Sequence, residues 1–163
     1  MKSKKEKLDA FFIKGLKLYN QRKFYAAHEY WEEMWTNFYF NDRIFVQGLI
    51  QTSVGYFHIT NINLNGARGL FKKCLPKLKK FEATNNRIDN LIELIHCVEN
   101  AKKCVDEIED VDDQQRAQNV SAIARCTEAF RCRMALWRRA SCQFRDDLSP
   151  CASIRASPGL PDH

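Results

Sequence analysis

From Lys4 to Ile108 the apolar residues of this chain recur three and four apart in five successive stretches, and no run of β-branched residues alternating with polar ones competes with them. That spacing places the apolar side chains on one face of a helix. It predicts an all-α fold, a compact bundle or array of about five helices. The first is expected from about Lys4 to Asn20, with Leu8, Phe11, Phe12, Leu16 and Tyr19 inward. A second begins near Lys23 and carries Phe24, Ala27, Trp31, Met34 and Phe38 on one stripe. Asn41 or Asp42 can cap a third, reaching about Ile62, by accepting a hydrogen bond from its first free amides. Asn63 or Asn65 can cap a fourth, with Ala67, Phe71, Cys74 and Leu78 inward and a kink expected at Pro76, which lacks the amide that would bond one turn back. The fifth is expected from Arg87 to Ile108 on Ile88, Leu91, Ile92, Ile95, Val98 and Val105.

At 163 residues, with 45% hydrophobic content, the chain can build one core. Its basic residues are unevenly distributed. All fourteen lysines lie at or before Lys103, whereas eight of the twelve arginines lie at or after Arg116. Residues 1–113 carry 18 basic and 16 acidic side chains and residues 114–163 carry 8 and 4, so the net charge of +6 sits mostly in the second segment. This divides the chain into an all-helical domain at 1–113 and a basic Arg/Cys/Ser-rich extension at 114–163, expected to be helical as far as about Arg139 and disordered after Ser149. The nearly neutral first segment has no basic stripe interleaved with aromatics, so nothing in it points to nucleic acid. The extension is only weakly basic for a nucleic-acid or membrane-surface arm. No membrane span and no export signal are expected, since no run of about 18 uncharged apolar residues occurs. Without an export signal, the seven cysteines are expected to be reduced, and with no C-x-x-C pair their spacing does not suit a zinc site.

The third helix carries the functional signal. At about 100° per residue, Arg43, Gln47, Gln51 and His58 fall within an arc of about 80°. The rest of its circumference is apolar or small, which is the composition of a buried helix, so this polar stripe is expected to face the interior or a cleft. His28 and Glu32, one turn apart on the second helix beside Trp35, can meet it, with Glu29 further round. Two imidazoles and a carboxylate suit a divalent metal, with His28, Glu32 and His58 as ligands, or acid–base work on a small molecule. The same residues could instead form a hydrogen-bonded network that fixes helix register. The pattern His-Glu-x-x-Glu at 28–32 is not the His-Glu-x-x-His of zinc proteases.

The string Tyr25-Ala26-Ala27-His28-Glu29-Tyr30-Trp31-Glu32-Glu33-Met34-Trp35, followed by Arg43-Ile44-Phe45-Val46-Gln47-Gly48-Leu49-Ile50-Gln51, Tyr56-Phe57-His58 and Asn65-Gly66-Ala67, resembles a bacterial and plastid family termed domain of unknown function 309. The resemblance runs over about residues 8–82. It implies a small all-helical domain whose signature residues here are His28, Glu29, Glu32, Trp35, Arg43, Gln47, Gln51 and His58, and it carries no established activity. The expectation is therefore an intracellular, soluble helical protein, cytoplasmic or in the plastid stroma, with a polar-lined pocket between the second and third helices for a metal or a small molecule. A helical-repeat-like protein-interaction module is the alternative: Gly15, Phe24, Ala27 and Trp31, with Ala67 and Phe71 later, show tetratricopeptide-like spacing at an offset of 40 residues.

Overall fold

A computed structural model describes residues 3–85 and 87–108, which form α1 (Lys4–Asn20), α2 (Phe24–Asn37), α3 (Arg43–Thr60), α4 (Leu64–Lys79) and α5 (Leu91–Glu107). Among the described residues there is no β-strand, and the all-α expectation holds. The basic extension at 114–163, and its boundary near residue 113, lie outside the described residues.

Ser3 starts α1 as a capping box: its hydroxyl accepts the Glu6 amide at 3.2 Å while its own amide donates to the Glu6 carboxylate at 2.8 Å. Each helix then packs chiefly on its neighbours in the chain, α1 on α2, α2 on α3, α3 on α4 and α4 on α5. The core runs along these seams, and its largest fully buried side chains are Trp31, Tyr56, Phe45, Phe71 and Met34. Trp31 donates its indole N–H to the Phe12 carbonyl at 3.1 Å, so the largest core residue is also satisfied.

The first four helices are two copies of one hairpin, forty residues apart. Helices α1 and α3 end at Asn20 and Thr60, and α2 and α4 begin at Phe24 and Leu64. Both turns place a non-glycine residue at positive φ, Arg22 at 61° and Ile62 at 58°. In both, the amide of that residue and the next reach back to the last helical turn: Arg22 to Tyr19 and Lys23 to Leu18, Ile62 to Ile59 and Asn63 to His58, at 2.8–3.0 Å. This is a Schellman ending whose last residue doubles as the cap of the following helix. A glycine one turn inside the first helix of each copy admits an aromatic ring from the second. A Cβ at Gly15 would lie 2.3 Å from Trp31, and one at Gly55 would lie 2.6 Å from Phe71. Only the first copy and the Ala67/Phe71 pair are legible as tetratricopeptide-like spacing; Gly55 completes the second copy through its contact.

Several sequence expectations need correcting. Of the two expectations for the α3 stripe, the interior and a cleft, the first does not hold: Arg43, Gln47, Gln51 and His58 are all only partly buried, because in a chain-ordered array α3 is covered mainly from two sides. The buried polar groups of α3 are instead Thr52 and Ser53, each tied to a carbonyl, Thr52 to Gly48 at 2.8 Å and Ser53 to Phe24 at 2.7 Å. Asp42 stands at the N-cap of α3 but does not cap it, since its carboxylate is drawn to Arg87. Helix α5 starts at Leu91 rather than Arg87, and Ile92, expected inside, is 48% exposed.

The cysteines among the described residues, Cys74, Cys97 and Cys104, are free thiols. Burial pushes the Cys74 thiol up to about 11, which leaves it almost wholly protonated near neutrality and makes it a packing residue.

A cleft at the corner of the second and third helices

Helix α2 ends where Phe38 turns extended, at φ −128° and ψ 142°. The change of direction throws Tyr39 outward, 80% exposed, and returns Phe40 to the core. Between this corner and the first turns of α3 lies a cleft of about 410 Å³, walled by Trp35, Tyr39, Phe40, Arg43 and Gln47, with Asn41 and Ile44 at its edge.

Arg43 organises it. Its guanidinium carbon lies 4.4 Å from the centroid of the Trp35 ring and 5.9 Å from those of Tyr39 and Phe40. Nη1 donates to the Phe38 carbonyl at 2.8 Å, which fixes the guanidinium on the loop that closes α2. Among the described residues no carboxylate pairs with it. At Arg87, which is also near the Phe40 ring, the reverse holds. Arg87, from the α4–α5 connection, is held by Asp42 and, at 3.8 Å, by Asp9. Two guanidinium carbons thus lie 5.9 Å from one ring centroid, that of Arg87 paired with carboxylates and that of Arg43, among the described residues, not.

The eight residues expected at the site are distributed over three places. Trp35, Arg43 and Gln47 line the cleft. Gln51, midway along α3, accepts a hydrogen bond from Lys77 of α4 at 2.9 Å, which joins α3 to α4. The histidines lie toward the other end. His28, 14% exposed at its side chain, donates through Nδ1 to the Tyr25 carbonyl and presents Nε2 to Glu32 at 3.5 Å, while Glu32 and Glu29 are themselves exposed. His58 faces the Asn63 side chain at 3.3 Å. Because Asn63 Oδ1 already accepts the Gly66 amide at 2.9 Å as the α4 cap, its NH2 is what meets His58 Nδ1, and a neutral His58 therefore carries its proton on Nε2. Tyr25 bridges the two histidine regions: its ring is 4.6 Å from His28 and 5.1 Å from Phe57. Among the described residues no three His, Cys, Asp or Glu side chains converge to hold a metal ion, so His28, Glu32 and His58 are not gathered into a ligand set.

Tyr39, Phe40, Asn41 and Ile44 were not among the expected residues. They lie on the corner or off the polar stripe, where helical periodicity gives no direction; a pair of aromatics directly before Asn41-Asp42 was the available signal. A second, more open depression of about 500 Å³ between α4 and α5 is lined by Leu75 and by charges that are already paired, Glu99 with Lys79 outside it, Lys102 with Asp106 and Lys103 with Glu107.

Residues 12–70 match the family model described as domain of unknown function (DUF309). That stretch, 59 of the 163 residues, is similar to the family that the sequence motifs resemble. The DUF309 match begins at Phe12 in α1 and ends at Leu70 in α4, so it takes in the cleft and both histidines and leaves out α5 and Arg87. No curated protein and no solved structure matches the chain. Among the described residues no helix is long and apolar enough to cross a membrane.

Proposed function

We propose that the protein is an intracellular binding protein that takes a small organic molecule in the cleft between α2 and α3. The observation that carries this reading is Arg43, a guanidinium stacked on Trp35, without a carboxylate partner among the described residues, on the wall of an open space of about 410 Å³. That volume lies within the range of small-molecule sites, and a few polar groups among aromatic walls is their usual composition. The walls offer recognition groups rather than an imidazole or carboxylate, which favours binding over hydrolysis. A divalent metal at His28, Glu32 and His58 is less well supported, since only His28 and Glu32 stand together.

A thermal-shift screen of small acids, amines and neutral ring compounds on the full chain tests the reading. Compounds that raise the melting temperature of the parent, and lose that effect in Arg43→Gln, are the expected result. Hits indifferent to Arg43→Gln would place the site elsewhere, and stoichiometric metal in protein prepared without a metal-binding tag would return attention to His28.

The duplicated hairpins favour a second reading, a helical-repeat-like interaction module in which the polar stripe is a structural network. It predicts that a binding peptide perturbs residues along the whole of α1 and α3 rather than the corner alone.

A further inference from the structure

We infer that the ligand class selected by this cleft is a flat aromatic monocarboxylate, an inference that rests on the reading of the cleft as a small-molecule site. The Arg43 guanidinium lies over the Trp35 ring, its carbon 4.4 Å from the centroid. A guanidinium lying over an indole uses its face, and its N–H groups, which lie in its own plane, remain directed outward. One of them is occupied at the Phe38 carbonyl. The remaining edge suits the two oxygens of a carboxylate, which accept parallel hydrogen bonds from such a fork.

Charge decides between a carboxylate and a phosphate. Among the described residues Arg43 is the cation on the cleft wall, with no lysine beside it, and the second guanidinium near Phe40 is taken by Asp42 and Asp9. One unneutralised positive charge balances a monoanion and leaves a phosphate dianion half compensated. Shape decides the rest of the molecule. Tyr39 and Ile44, 80% and 45% exposed, and the Phe40 ring offer flat apolar surface beside that charge, and the open volume accommodates one or two fused rings. Gln47, one helical turn beyond Arg43, places an amide that can both donate and accept where a ring substituent would lie.

The test uses three matched probes on the full chain: 2-naphthoate, its neutral counterpart 2-naphthamide, and inorganic phosphate. Binding is followed by NMR at the Trp35 indole N–H and the Arg43 and Gln47 amides. The expected result is that 2-naphthoate shifts these signals and 2-naphthamide binds at least about tenfold more weakly, the scale of a charge-assisted hydrogen bond. Phosphate should leave them in place. In Arg43→Gln, whose melting temperature is checked against the parent, the preference for the acid over the amide should vanish. Equal binding of 2-naphthamide, or shifts caused by phosphate, would overturn the ligand class while leaving the cleft as the site. No shift from 2-naphthoate, alongside screening hits that depend on Arg43, would overturn the class alone. No shift and no such hits would remove both.

Discussion

The hairpins α1–α2 and α3–α4 share one backbone path and close it with different chemistry. Both turn through a residue at positive φ, but the first uses Arg22 and the second Ile62, whose branched Cβ is the harder to hold in the left-handed region. Both need a cap for the helix that follows. The second has Asn63, whose side chain accepts the Gly66 amide, whereas the first has Lys23, which makes no such bond. Both seat an aromatic ring on a glycine, Trp31 closer and hydrogen-bonded, Phe71 a little further off. The shared parts are those that geometry requires; the parts that differ are where one copy can be improved toward the other.

Substitution at the glycines should separate the copies most. Gly15→Ala is expected to cost about 3 kcal/mol, because displacing Trp31 also breaks its bond to Phe12, and Gly55→Ala about 1–2 kcal/mol, both net of the helix propensity that alanine adds. Urea denaturation of the two variants measures the difference, and equal losses would mean that the Trp31 hydrogen bond carries no weight. The turns come next. Ile62→Asn should stabilise by about 1 kcal/mol, since Ile62 is 42% exposed and loses little burial, and Arg22→Asn by less; a fall in melting temperature for Ile62→Asn would show that its side chain packs more than it strains. The caps should give an effect no larger than that of Ile62→Asn and more symmetrical between the copies. Asn63→Ala is expected to lose about 1 kcal/mol and Lys23→Asn to gain up to that amount, checked by chemical denaturation of each variant. Asn63→Ala also releases His58 Nδ1, so the His58 ring resonances should shift in Asn63→Ala and stay in place in Lys23→Asn.

The helices were legible because three-and-four spacing reports directly on which side of a helix is covered, and Phe12, Trp31, Phe71 and Val98 all lie where that spacing puts them. Periodicity does not report how many neighbours cover a helix. Helix α3 reads as buried all round, yet Arg43, Gln47, Gln51 and His58 reach solvent because few elements other than α2 and α4 press on it. Nor does it fix position along the axis relative to a partner. Arg43 and His58 share an arc on one helix but stand fifteen residues apart, and antiparallel packing pairs Arg43 with Trp35 and Phe57 with Tyr25. One stripe therefore became a cleft at one end, a tie to α4 in the middle and an imidazole near a cap at the other. The turn residues Arg22 and Ile62 were invisible for a different reason, since neither residue type favours the conformation it adopts.

A linear stack in which each helix leans mainly on the next would melt piecewise, its parts held together only by successive interfaces. Arg87 works against that. From the α4–α5 connection it reaches Asp9 on α1 and Asp42 ahead of α3, with the Phe12 ring 5.0 Å beneath it, and so fastens the last third of the described chain to the first. The Phe40 ring it also faces is the floor of the cleft. The side chain that ties the two ends of the described chain together thus also borders the corner, and it belongs to neither hairpin.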